Sequence, residues 1–157
     1  MKEHFNIWGA GSALAPQISN IKSLEMVEYT GEFSTCEVGT CPVENLGFEP
    51  NKCLGNAYKV AEQTGAMIVE GVLRIGNAQF VKHAWNKLGD LYFDPTKDYV
   101  FETDEFRRSM SEYGIDHLTY DYVKCIEYDL DECNRDKDGN ILFRYAYNTI
   151  LDVANGG

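Results

Sequence analysis

Apolar residues follow no regular period over residues 1–50, where Gly, Ser, Thr, Pro and Asn are frequent and only short runs such as LEMVEY stand out. The pattern sharpens at Asn51. In NKCLGNAYKVAEQTG, Leu54, Ala57, Tyr58 and Ala61 take the i, i+3, i+4 and i+7 positions of one helical face. Asn51 is a candidate N-cap and Gly65 a C-terminal stop, which predicts a helix of about three turns. Strand character follows in AMIVEGVLRI, and Gly76-Asn77 supplies a turn into AQFVKHAW. A third strand, LYFD, comes after the Asn86–Asp90 connection and ends at Pro95, which has no N–H for a central ladder.

Beyond residue 100, TDEFRRSMSEYG predicts a short helix capped by Thr103, with Phe106, Met110 and Tyr113 on one side. LTYDYVKCIEYDL and ILFRYAYNTIL predict two long aromatic strands joined across Asp138-Gly139, a strong hairpin-turn signal. No repeat, linker or low-complexity tract divides this order. The expectation is one α+β domain over residues 1–157, a helix packed on an antiparallel sheet. Residues 1–50 form an N-terminal segment of unassigned structure, 51–96 the core, and 97–155 a helix plus hairpin.

Charge narrows the partners. The chain has 14 basic and 25 acidic residues, a formal charge of −11, and its basic pairs such as Arg107-Arg108 are interleaved with acids. Such a field repels phosphate, so neither a nucleic acid nor an anionic membrane surface is expected as a partner. The N-terminus has no sustained apolar core of the secretory type, and no stretch approaches the roughly 18 apolar residues of a membrane span. A cytoplasmic protein with reduced thiols is the expectation, and the odd count of five cysteines leaves at least one unpaired.

Metal chemistry finds little support in the spacing. Cys36 and Cys41 are separated by four residues and Cys125 and Cys133 by seven, without any Cys-x-x-Cys pair. Asn134, Asp136, Asp138, Gly139 and Ile141 follow the opening of a calcium loop, but Tyr145 stands where the closing bidentate Glu belongs. The segment is therefore expected to be a turn.

The chemistry-bearing residues lie in the predicted core. If the second hairpin turns over Lys87–Asp90, Asn86 pairs with Leu91 and His83 falls directly opposite Asp94. Opposed residues share a sheet face with Cβ atoms about 5 Å apart, within reach of a carboxylate–imidazole hydrogen bond. Such a bond fixes the tautomer and orientation of the ring and leaves its other nitrogen for proton transfer. Cys53 falls in the first turn of the predicted helix, where unpaired N–H groups and the helix dipole favour an anion. Each residue alone has a simpler role: Cys53 as a small core residue, His83 as a satisfied strand histidine, Asp94 as a turn initiator before Pro95. Their order and register together favour a nucleophile, base and orienter. Trp85 is a core anchor or a pocket wall, and His4, His117 and the other four cysteines have no assigned role.

Cysteine at a helix N-terminus in NKCLGNAYKVA, histidine in KHAWNKLG and aspartate in YFDPT resemble the core of the transglutaminase-like superfamily, the circularly permuted relatives of papain-type cysteine enzymes. The resemblance spans residues 48–96. It implies a papain-like core with Cys53 as nucleophile, His83 as general base and acid, and Asp94 as histidine orienter. Many members carry a Trp just before the nucleophile, where this chain has Asn51-Lys52. The backbone N–H of Cys53 and the side chain of Asn51 are the candidate oxyanion donors.

Two functions follow as expectations. One is a peptidase, amidase or acyltransferase that works through a Cys53 thioester on a protein, peptide or small acyl substrate, with no metal or organic cofactor. The other is a non-catalytic binding or inhibitor protein on the same scaffold, using its acidic surface and ten tyrosines as an interface.

Overall fold

The computed structural model describes residues 34–77 and 81–144. His4, Tyr145, the remainder of the first predicted segment and most of the last predicted strand lie outside the described residues. The order is β1 (Ser34–Cys36), α1 (Cys53–Thr64), β2 (Met67–Ile75), β3 (Val81–Leu88), β4 (Leu91–Phe93), a π-helical turn (Lys97–Phe101), α2 (Asp104–Glu112), β5 (Tyr120–Tyr128), a 3₁₀ turn (Leu130–Glu132), β6 (Asn134–Arg135) and β7 (Ile141–Leu142).

The main sheet has five strands in the order β1-β5-β2-β3-β4, with antiparallel pairing throughout. Its two edges nearly meet. Gly39, just past β1, bridges Phe93 of β4 and donates its N–H to the Tyr92 carbonyl at 2.8 Å. The architecture is therefore α+β with a nearly closed antiparallel sheet. Val69, Leu73, Val81, Trp85 and Phe93 belong to the larger buried core, joined by Phe101, Phe106 and Met110 from the segment after β4. Gly71 makes close strand packing possible beside His83, its partner on β3. A Cβ there would stand 2.1 Å from the Val123 carbonyl oxygen and 3.0 Å from the Trp85 ring, so alanine would force the β2–β5 ladder apart.

Helix α1 forms where the apolar period predicts it. Leu54, Ala57, Val60 and Ala61 are buried, and Gly65 ends the helix in the left-handed conformation at φ 78°. Burial rather than capping holds it: Lys52 takes the N-cap position and makes no side-chain cap bond. Full burial of Leu54 and Val60 is worth about 1.5–3 kcal/mol each, against about 1 kcal/mol for a typical cap. The Asn51 cap is thus corrected by one residue, and Asn51 itself adopts a left-handed backbone at φ 63°. Asn tolerates that region better than most residues, and the turn aims Lys52 into the helix.

Two further expectations change. The β3–β4 hairpin turns on Gly89 and Asp90 alone, so Asn86 pairs with Phe93 rather than Leu91. Gly89 supplies the positive φ, 62°, that a two-residue turn requires, and Leu88 and Leu91 join the ladder. Of the expected C-terminal hairpin only the part beside its turn is described, because residues 145–151 lie outside the described residues. β5 lies between β1 and β2, while the Asp136–Gly139 turn joins the two-residue strands β6 and β7 in a separate ribbon. In α2, Thr103 caps the Phe106 N–H and Phe106 and Met110 are buried, but Tyr113 lies past the last turn and is exposed.

Candidate active site

β4 ends at Phe93, so it covers β3 only from Asn86 to Leu88. Asp94 begins a helical turn: its carbonyl accepts the Asp98 N–H at 3.2 Å, and its Oδ1 accepts the Thr96 N–H at 3.0 Å. Pro95 occupies the first helical position, where a missing N–H costs nothing. Asp94 is therefore both the turn initiator that its sequence context suggests and a side chain available to β3. Its Oδ2 accepts from His83 Nε2 at 2.7 Å and from the Tyr122 hydroxyl at 2.7 Å.

The predicted opposition of His83 and Asp94 misses by two residues, yet the contact survives. A shift of two preserves the face that a side chain occupies, and diagonal neighbours on one face remain within reach of long side chains. His83 and Asp94 are both 0% exposed. The imidazole packs against Trp85, Phe101 and Tyr122, with ring centroids 6.0, 5.8 and 6.2 Å away.

Burial alone would push the His83 pKa down. The Asp94 carboxylate and then the Cys53 sulfur outweigh it and carry the pKa up to about 10. The ring is thus cationic at neutral pH, with Nε2–H committed to Asp94. Nδ1 has no hydrogen-bond partner at ordinary length, and the Cys53 sulfur is the next group after Asp94 that favours the charged ring. Cys53 is the first residue of α1 and 6% exposed. No acidic residue lies in that first turn, so the N-terminal end of the dipole has no carboxylate to answer it there.

The sequence does not single out three other residues at this place. Tyr122 is buried on β5, and its phenol pKa is raised by burial first and then by Asp94, so the hydroxyl stays a donor. Asn56 and Thr96, each 1% exposed, join through Asn56 Nδ2 and Thr96 Oγ1 at 2.8 Å. Asn56 carries a legible signal, a polar residue three positions after Cys53. On the other face of β3, the Lys82 ammonium is pushed down to about 8 by burial, against the opposing pull of Cys53 and Glu70. Glu70 is fully buried and accepts from the Tyr128 hydroxyl and from the Arg144 N–H at 2.8 Å.

Trp85 has no exposed surface and stacks edge-on to Tyr122 with centroids 4.9 Å apart, which makes it a core anchor and not a pocket wall. None of the five cysteines forms a disulfide. His117 is exposed. The Asp136–Gly139 segment is a turn in which Asp136 accepts the N–H groups of Asp138 and Asn140. A cavity of about 910 Å³ runs between Thr35–Gly39 and Tyr120–Val123 and includes neither Cys53 nor His83. No helix among the described residues is long and apolar enough to cross a membrane. No protein-family model, no curated protein and no solved structure matches the chain.

Proposed function

We propose that the chain is a cysteine-dependent acyl-group enzyme of transglutaminase-like, papain-like type, with Cys53 as nucleophile, His83 as base and acid, and Asp94 as orienter. The observation that carries it is the buried His83–Asp94 bond, which commits one imidazole nitrogen and leaves the other to the Cys53 sulfur. A histidine present only to fill a core would be satisfied and neutral. Here it is held cationic beside a thiol on a helix N-terminus.

In the proposed reaction the cationic His83 ring already holds the proton that Cys53 gives up, and the thiolate sulfur attacks an amide or ester carbonyl carbon. The oxyanion that forms is met by the backbone N–H of Cys53, with Asn51 as the proposed second donor. Collapse breaks the bond to the leaving amine or alcohol, which takes its proton from His83, and a thioester remains. Water or a second amine then attacks the thioester, gives a proton to His83, and expels the thiolate. Peptides, protein side-chain amides and small acyl compounds all fit this chemistry. No metal or organic cofactor enters it, and a cytoplasmic setting suits five thiols without a disulfide.

Low exposure of Cys53 favours a second reading, a binding or inhibitor protein that retains the scaffold. Iodoacetamide labelling mapped by peptide mass spectrometry separates the two. The enzyme reading expects Cys53 to label first among the five thiols and His83→Ala to slow it. Faster labelling of Cys36 or Cys133, whose thiol pKa values burial pushes up, would overturn it.

A further inference from the structure

The proposed nucleophile and its base stand on different elements, Cys53 on α1 and the His83–Asp94 pair on β3 and the turn after β4. A proton transfer between them needs a fixed spacing, because misplacement of about 1 Å costs on the order of a hundredfold in rate. Asn56 follows Cys53 by three positions, so the two share a helix face. Its Nδ2 donates to Thr96 Oγ1 at 2.8 Å and to the Glu49 carbonyl at 2.9 Å, and its Oδ1 accepts the Glu49 N–H at 3.0 Å. Thr96 in turn donates its N–H to Asp94 Oδ1, and Asp94 Oδ2 holds His83 Nε2. An unbroken line of buried hydrogen bonds therefore runs from the helix that carries the thiol to the imidazole.

We infer that Asn56 and Thr96 are positioning residues that set the distance between Cys53 and the His83–Asp94 pair. This rests on the cysteine-enzyme reading above. An apolar pair of the same shape would hold the helix almost as well, since the net gain from an intramolecular hydrogen bond over its exchange with water is small. A directional bond between two short side chains fixes relative placement as well as contact. Asn86 Nδ2, which donates to the Ala57 and Met67 carbonyls, ties α1 to the sheet farther from Cys53 and does not touch Asp94.

The test is the second-order rate of Cys53 alkylation by iodoacetamide on the full chain, from about pH 5 to about pH 11, alongside thermal melting. Wild type is compared with His83→Ala, Asn56→Ala, Thr96→Val and Thr96→Ser. Asn56→Ala and Thr96→Val are each expected to slow labelling roughly ten- to hundredfold and to move the pH profile toward that of His83→Ala. Thr96→Ser keeps Oγ1 and should stay within about twofold of wild type. A folded Asn56→Ala or Thr96→Val with the wild-type rate and profile overturns the inference, as does a Thr96→Ser as slow as Thr96→Val. If Asn56→Ala does not fold, the isosteric Thr96→Val and its serine counterpart decide. Should His83→Ala share the wild-type rate and profile, the thiol is uncoupled from the imidazole and both the enzyme reading and this inference fall. Where His83→Ala differs but the Asn56 and Thr96 variants match wild type, only the link is lost.

Discussion

Two polar clusters flank Trp85 on the same face of β3, and their differences bear on which of them is suited to chemistry. Each is built from a carboxylate, a tyrosine and a nitrogen cation drawn from β3, β5 and the β4 region. Around Lys87, the Glu127 carboxylate accepts from the Tyr92 hydroxyl, from Lys124 Nζ at 2.9 Å and from Lys87 Nζ at 3.5 Å. Burial would raise the Glu127 pKa, but those three donors bring it below the usual range. Lys87 and Glu127 keep 27% and 17% of their side-chain surface, so water screens the pair. Around His83 everything is dry, the single carboxylate is shared by three donors, and one imidazole nitrogen is left over. A cluster that neutralises itself against solvent stabilises a strand end; a cluster that buries a cation and leaves one nitrogen uncommitted is poised to move a proton.

Substitutions that remove the leftover nitrogen or its target should have the largest effect. Cys53→Ala should abolish turnover of any acyl substrate, and His83→Ala should come close, as judged by trapped acyl adducts in mass spectrometry. Asp94→Asn offers an N–H to an imidazole that needs an acceptor, a change that costs on the order of 10⁴ in a related serine triad. Asp94→Ala leaves His83, Tyr122 and Thr96 without their acceptor. Each unsatisfied buried donor costs about 1–3 kcal/mol, so melting should fall well below that of Asp94→Asn. Equal melting temperatures for the two variants would mean that water enters and replaces the carboxylate.

A smaller effect distinguishes the two clusters by pH. The folded His83 pKa of about 10 exceeds its ordinary value of 6.5, so the native state binds the extra proton between those limits. Stability from this group is complete below about pH 6.5 and is lost as pH rises toward 10, at up to about 1.4 kcal/mol per pH unit. Lys82 works the other way above about pH 8, where its lowered pKa makes deprotonation favour the folded state. Urea unfolding should therefore show stability falling from about pH 6.5 to 8 and levelling above it. His83→Gln should lack the fall. A wild-type curve already flat from pH 6.5 to 8 would mean that the buried ring is neutral.

How far these features were legible in the sequence depends on the range of the interaction behind each. Period and caps are local, so α1, β2, β3 and α2 fall where the apolar pattern puts them, and Gly65 and Thr103 end and begin their helices as expected. The proximity of His83 and Asp94 was also legible, because a wrong turn length shifted the register by an even number and kept the face. The pairing of β5 with β1 and β2 was not legible, since nothing local reveals which strands lie beside it. Tyr122 and Thr96 stayed hidden for the same reason: their partners lie 28 and 40 residues away. Cys53, His83 and Asp94 carry reactive side chains in a recognisable order, whereas the residues that hold them are ordinary polar types whose placement appears only with the fold.

The mildest prediction concerns the cluster that is scaffolding. Glu127→Gln keeps the shape and the acceptor oxygen but removes the charge that Lys87 and Lys124 face. Partly exposed pairs of this kind contribute about 0–1 kcal/mol, so melting should shift by a few degrees at low salt and less as salt screens the wild type. Because the Glu127 pKa is lowered in the folded state, its contribution is present above the ordinary value of 4.5 and lost as pH falls through the lower folded value. Wild type should therefore lose stability faster than Glu127→Gln as acid is added below about pH 4.5. Cys53 labelling by iodoacetamide should be unchanged in rate and in pH profile, since neither Glu127 nor its lysines bond to Asp94 or His83. A Glu127→Gln variant that slowed Cys53 would join the two clusters across Trp85 and undo the division drawn between them.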